Sequence, residues 1–192
     1  RLILGERKNI KITTPDDLEI AEKWQLKEEG VTGGHTMRIG QGFDVHKFAN
    51  EGQFVILGGV KIPHRTSLLG HSDADVLIHA ICDAILGAAG LGDIGEWFPD
   101  NAPEHKGIDS RKILKKIISA LKTKGLVVFQ IDATVICEEP KITPHKEKMK
   151  KILTMETNCS FVNIKATTTE RLGTIGRKEG IAAMASISLL YE

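Results

Sequence analysis

Gly40-Gln41-Gly42-Phe43-Asp44-Val45-His46 places a carboxylate and an imidazole two residues apart behind a pair of glycines. In a strand, residues two apart point to the same face, so Asp44 and His46 can converge on one ion. Downstream, Asp75-Val76-Leu77-Ile78-His79-Ala80-Ile81-Cys82-Asp83 is an apolar run of helical character that carries a third candidate ligand, His79. Two nitrogens and one carboxylate oxygen suit zinc in a catalytic site, where a fourth position stays open. A lone histidine on an apolar helix is as readily a core residue. Its company with Asp44 and His46 is what gives it interest.

Working outward, strands are expected at 37–44, 54–58, 127–137, 161–168 and 181–190, and helices at 73–89, 109–123 and 144–153. Ile113, Leu114, Ile117, Ile118 and Leu121 share one face of the middle helix, which Asp109 or Ser110 starts and Gly125 stops. Strands mixed with packed helices predict an α/β sandwich of the α+β kind, a mixed sheet with helices on one side. The small residues of 181–190 suit close packing, against another subunit or within a monomer core. Residues 1–36 differ in style. A short strand at Asn9–Ile12 and a helix from Pro15 to about Glu29, capped by Thr14, cannot bury a core of their own. Gly30, Gly33 and Gly34 form a joint before the main domain, 37–192. A chain that begins at Arg1 and carries an internal Met37 is expected to be part of something longer.

Composition narrows the function classes. Lys and Arg number 26 against 25 acidic residues, so no global field recruits nucleic acid or an anionic membrane. No apolar run approaches the roughly 18–20 residues of a membrane span. Cys82, Cys137 and Cys159 lack metal or disulfide spacing and predict reduced core thiols of a cytoplasmic protein. There is no G-x-x-x-x-G-K-[ST] loop, Gly40-x-Gly42 lacks the third glycine of a dinucleotide fingerprint, and no G-x-S-x-G elbow marks a nucleophile. Phosphoryl transfer here would need a substrate that brings its own nucleophile.

Other segments hold chemistry of less specific character. His71-Ser72-Asp73-Ala74-Asp75 precedes the His79 helix, and Ser72 with Asp75 predicts a capping-box-like start. Free amides there could seat a phosphate, with His71 adding a donor, or the segment could simply cap a surface helix. Asp83, four residues beyond His79, could hold its second ring nitrogen. The loop Gly95-Glu96-Trp97-Phe98-Pro99-Asp100 could hold a polyol through Asp93 and Asp100, or be an ordinary surface loop. Thr167-Thr168-Thr169-Glu170, with Arg177, could surround a diphosphate, and Glu170 could take a hard cation such as Mg²⁺.

Taken together, Met37–His46, Leu68–Asp73, Gly90–Gly95, Phe98–Asp100, Pro140-Lys141 and Lys165–Gly173 resemble the 2-C-methyl-D-erythritol 2,4-cyclodiphosphate synthases. Residues 9–22 are similar to the tail of the cytidylyltransferase of the same non-mevalonate isoprenoid pathway, as in a bifunctional fusion. The resemblance implies a homotrimer with sites at subunit interfaces and a cytidine diphosphate substrate cyclised with loss of CMP. It implies Zn²⁺ on Asp44, His46 and His79, and Mg²⁺ or Mn²⁺ on Glu170. His71 and Thr168 would steady the transition state, and Ser72 would meet phosphate. Asp93, Ile94, Gly95, Phe98, Pro99 and Asp100 would line the methylerythritol pocket, with Val45 also near substrate. Pro140, Lys141, Ile142, Thr143, Thr167, Thr169 and Arg177 would hold the cytidine diphosphate end. Gln41 stands where many relatives have histidine, and Thr174 where an aromatic residue is common. The other readings are a zinc phosphohydrolase on the same ligands and a non-catalytic nucleotide-binding trimer.

Overall fold

The computed structural model describes residues 12–28, 37–99 and 107–191, with the backbone alone at 22–28. The chain divides into two units, Arg1–Thr36 and Met37–Glu192. In the first, α1 (Pro15–Glu28) begins with a reciprocal cap. Asp17 Oδ2 accepts the amides of Thr13 and Thr14 at 3.0 and 2.9 Å, and the Asp17 amide donates to Thr14 Oγ1 at 3.3 Å. Those bonds from Thr13 and Thr14 pull the Asp17 carboxyl down to about 2. The strand expected at Asn9–Ile12 falls outside the described residues except for Ile12, which is not extended into one, and the glycine joint lies outside them altogether.

The second unit is built on a four-stranded sheet of β1 (Arg38–Lys47), β4 (Leu126–Ile136), β5 (Phe161–Thr167) and β6 (Gly180–Tyr191), in the order β1-β6-β4-β5. β6 runs antiparallel to both β1 and β4, whereas β4 and β5 are parallel. Alternation decides the faces. Gly40, Gly42, Ala133, Val135, Ala183 and Ala185 are buried on one side, where α2 (Val76–Ala89), α4 (Ser110–Lys122) and α5 (Lys146–Thr157) pack. On the other side Ile39, Phe43, Val45 and Met184 stay exposed. The expected mixed sheet with one-sided helices is the observed fold. The small residues of β6 serve the core here, since α2 lies across them. Among the described residues no helix is long and apolar enough to cross a membrane.

The structure also adds and moves elements. A hairpin of β2 (Phe54–Leu57) and β3 (Val60–Pro63) turns on Gly58-Gly59, both at positive φ (57° and 75°), which suits a tight two-residue turn. Helix α2 starts at Val76, not 73, because Asp75 is its cap: one carboxylate oxygen accepts the Ile78 amide at 3.0 Å. The same carboxylate accepts the Gly58 and Gly59 amides at 2.9 and 2.6 Å, tying the hairpin to the helix start. Burial pushes the Asp75 carboxyl up against those three stabilising amides. Of the amides considered at this N-terminus as a phosphate seat, that of Ile78 is already taken by Asp75. Short helix α3 (Ile94–Trp97) enters a segment expected as a loop, and a further short helix, α6 (Gly173–Gly176), is added before β6.

Candidate metal centre

The site begins with a close packing of backbone on backbone. A Cβ on Gly42 would stand 2.0 Å from the Ala80 carbonyl oxygen, and one on Gly40 would stand 2.0 Å from that of Ala84. With no side chains there, α2 lies directly on β1. His79, the residue before Ala80, is thereby brought over the end of the strand where Asp44 and His46 share its face.

Three donor atoms meet. Asp44 Oδ2 lies 3.0 Å from His46 Nε2 and 3.1 Å from His79 Nδ1, and the two ring nitrogens are 3.1 Å apart. A tetrahedral ion about 2.0–2.1 Å from each donor needs edges of about 3.3 Å, so this triangle is nearly the face of such a site. The far nitrogens agree. His46 Nδ1 lies 2.7 Å from the Leu69 carbonyl, which can only accept, so Nδ1 carries the proton and Nε2 is left with its lone pair. His79 Nε2 lies 3.0 Å from the hydroxyls of both Ser72 and Ser110. Asp44, His46 and His79 can thus hold a metal ion.

Electrostatics within the triad set its pH response. Burial raises the Asp44 carboxyl, but hydrogen bonds and charge from His46 and His79 outweigh it and hold the group well below the usual carboxylate range. Burial lowers His46, but Asp44 and the Leu69 carbonyl outweigh that and raise it. The sign follows. A raised histidine stabilises the metal-free fold below its unfolded value of about 6.5, and that contribution fades as pH climbs through the folded value. A cation must displace the extra proton. Zinc affinity measured by chelator competition is expected to rise with pH through and above the histidine range, with proton release on binding; a flat profile would contradict this proton–metal exchange.

A cleft of about 570 Å³ opens beside the triad, lined by His71, Ser72, Ile94, Gly95 and Phe98 among others. Asp93 is not part of the lining; it caps α3 just before Ile94, its Oδ1 accepting the Glu96 amide at 2.9 Å. Pro99 is exposed next to Phe98, and Asp100 lies outside the described residues, as do Asn101 and Ala102. Val45 points to the opposite face of β1, and Gln41 with it.

Asp83 does not hold His79. Its Oδ1 accepts the Ile94 amide at 2.8 Å instead, and burial raises its carboxyl. The reason is directional: helical side chains lean toward the N-terminus of their helix, so the His79 ring reaches back to Ser72 and Ser110 and away from Asp83.

The remaining expected residues gather elsewhere. Pro140, Lys141, Ile142, Thr143, Thr167, Thr168, Thr169, Glu170 and Arg177 do not line this cleft. Arg177 precedes β6, close to where β6 pairs with the end of β1, whereas those at 140–143 and 167–170 follow β4 and β5, the two strands on the side of the sheet away from β1. There Thr168 Oγ1 donates to Glu170 Oε1 at 2.7 Å, and Glu170 and Arg171 both hold positive φ (52° and 65°). Glu138, which no motif singled out, holds this turn: its Oε1 accepts the amides of Thr169 and Arg171, each at 3.1 Å. Glu139 ties the adjoining cis-proline loop to Lys178 and Arg65 at 2.8 and 2.7 Å. Lys178, followed by Arg65 and His64, keeps that carboxyl below its ordinary value. A carboxylate that binds amides 31 and 33 residues away leaves no local sequence signal.

Fold and site together define an α+β sandwich with a carboxylate–bis-histidine set, able to hold a metal ion, between an edge strand and a buried helix. Residues 37–190 match the YgbB family, and the chain belongs to it. It is 54% identical over 156 residues to 2-C-methyl-D-erythritol 2,4-cyclodiphosphate synthase of Azotobacter vinelandii, covering 80% of this chain and 99% of that one. It is 50% identical over 187 residues to the bifunctional enzyme IspD/IspF of Campylobacter hominis, covering 97% of this chain. The chain spans about half (48%) of that bifunctional relative. Among solved structures, a CDP complex of Plasmodium falciparum IspF superposes with a TM-score of 0.71 at 35% identity, over 83% of this chain and 99% of the other.

Proposed function

We infer that this chain converts 4-diphosphocytidyl-2-C-methyl-D-erythritol 2-phosphate into 2-C-methyl-D-erythritol 2,4-cyclodiphosphate and CMP. The observation that carries this is the convergence of Asp44, His46 and His79 beside a substrate-sized cleft, in a chain half identical to synthases of that name. A 2-phosphate oxygen of the substrate forms a bond to the β-phosphorus. The bond from that phosphorus to the oxygen bridging the α-phosphate breaks, and CMP leaves with the oxygen and its electron pair.

We assign Zn²⁺ to the triad, whose mixed nitrogen and oxygen donors suit it; when bound, it supplies Lewis-acid stabilisation of charge on the β-phosphate. Glu170 would hold Mg²⁺ or Mn²⁺, which prefer oxygen donors and phosphates. His71 and Thr168 donate to charge developing on phosphate oxygens, and Ser72 orients the phosphate. Asp93, Ile94, Gly95, Phe98, Pro99 and Asp100 enclose the methylerythritol, with Val45 contributing through its backbone. Pro140, Lys141, Ile142, Thr143, Thr167, Thr169 and Arg177 take the cytidine diphosphate end.

Residues 140–143 follow β4 and residues 167–170 follow β5, two and three strand spacings, or about 10 and 14 Å, across the sheet from β1 and its triad. One substrate can meet both the triad and these loops at close range when neighbouring subunits supply one each. The exposed apolar row of Ile39, Phe43, Val45 and Met184 provides a face for that contact. This supports a homotrimer, to be checked by sedimentation equilibrium; a monomer at working concentration would remove it. Residues 1–36 we assign to the tail of a cytidylyltransferase, a partner domain in bifunctional relatives. A cytoplasmic setting accords with Cys82, Cys137 and Cys159, all buried and unpaired.

The test is product analysis. Cyclic diphosphate and CMP in equal amounts, followed by phosphorus NMR, are the expected result. Open-chain phosphates would replace the cyclase with a hydrolase, and no turnover would leave a binding module.

A further inference from the structure

His79 needs more than position to be a ligand through Nδ1: its Nε2 must carry the proton. Two hydroxyls stand equally near that nitrogen, Ser72 Oγ and Ser110 Oγ, each at 3.0 Å. Their surroundings differ. Ser72 borders the cleft and already accepts the Ala74 amide at 3.1 Å. Ser110 is fully buried at the first position of α4. Its hydroxyl donates to Asp73 Oδ1, and its amide donates to Asp73 Oδ2 at 3.2 Å.

Asp73 is itself fixed. Its amide donates to the Ile108 carbonyl at 3.0 Å, and its Oδ1 also accepts the Asp75 amide at 3.3 Å. An ionised carboxylate only accepts. Ser110 therefore spends its proton on Asp73 and presents lone pairs to its other neighbour. With no solvent at Ser110, that neighbour is His79 Nε2–H. The chain of donors runs one way, from His79 to Ser110 to Asp73.

We propose that Ser110 and Asp73 are positioning residues that hold His79 with its proton on Nε2, so that Nδ1 offers its lone pair to the cation, while Ser72 is left to face substrate. This rests on the reading of the triad as a metal centre. It separates two serines that distance alone does not separate, and it assigns work to two residues that lie beyond the ligand set.

Zinc titration against a chromophoric chelator tests it without substrate, so the outcome is independent of whether the reaction is cyclisation. Ser110→Ala is expected to weaken zinc by roughly 10- to 100-fold, Ser110→Thr to restore most of it, and Ser72→Ala to change it less than about twofold. Asp73→Asn, which can no longer only accept, should weaken zinc as well and guards against a folding defect peculiar to one variant. In the metal-free protein, above the histidine range, nitrogen–proton correlation NMR should show His79 as the Nε2–H tautomer in the wild type and a mixture in Ser110→Ala. Wild-type zinc affinity in Ser110→Ala, or an equal loss in Ser72→Ala, would overturn the assignment. So would a wild type that binds no zinc, which removes the metal centre as well.

Discussion

Asp44→Asn is expected to abolish zinc binding and to lower CMP release by roughly a thousandfold or more. The substitution keeps size and hydrogen-bonding shape but removes the negative charge that both histidines face at 3.0 and 3.1 Å. A divalent ion would then meet two neutral nitrogens and a neutral amide oxygen. Lewis-acid stabilisation of transferring phosphate is worth several kcal/mol, and each 1.36 kcal/mol is a factor of ten, so its loss should reach about 10³ in rate. The metal-free protein should change too. Its Asp44 stabilises the fold above the ordinary carboxylate range and ceases to do so as pH falls through its lowered value; D44N should lack that acid-side dependence. Metal content by elemental analysis and single-turnover CMP release make the check. Loss of metal with CMP release intact would sink the catalytic role and favour a binding module whose ion is structural.

The second large effect is steric. Gly42→Ala adds one methyl group, yet that carbon would lie 2.0 Å from the Ala80 oxygen and 2.7 Å from the Ala84 nitrogen. Both are backbone atoms of a helix buried in the core, and no rotamer change can relieve them. α2 would have to lift from β1, costing about 3 kcal/mol of stability. Because His79 adjoins Ala80, lifting the helix also draws Nδ1 away from Asp44, so zinc affinity should fall together with the urea midpoint. Gly87→Ala supplies the contrast. Its Cβ would meet nothing within 4 Å in the same helix, and it should stabilise by about 0.5–1 kcal/mol, since glycine weakens a helix interior. A Gly42→Ala protein as stable as the wild type would mean that the contact between α2 and β1 is not the constraint described.

The triad was legible because its signals are local. A two-residue spacing in a strand settles that Asp44 and His46 share a face, and an apolar helical run makes His79 point into the core rather than to solvent. The YgbB motifs then narrowed the chemistry far beyond what that spacing supports. Element boundaries were less legible where long-range partners intervene. Asp75 as the cap of α2 depends on the Gly58 and Gly59 amides from a hairpin seventeen and sixteen residues earlier. The Ser72-based start was a sound local reading that a buried carboxylate displaced.

Chain chemistry alone settled the mixed sheet, the helices on one side of it and the shared face of Asp44 and His46, with His79 as a candidate third ligand, because periodicity and residue type act over a few neighbouring positions. Tertiary packing decided the partners: serine hydroxyls and not Asp83 beside His79, Glu138 for the turn that carries Glu170, and the placing of the loops after β4 and β5 on the side of the sheet away from β1. Hydrogen-bond partners are chosen by which buried groups arrive within about 3 Å, and that depends on how distant segments fold against one another, which no spacing along the chain records.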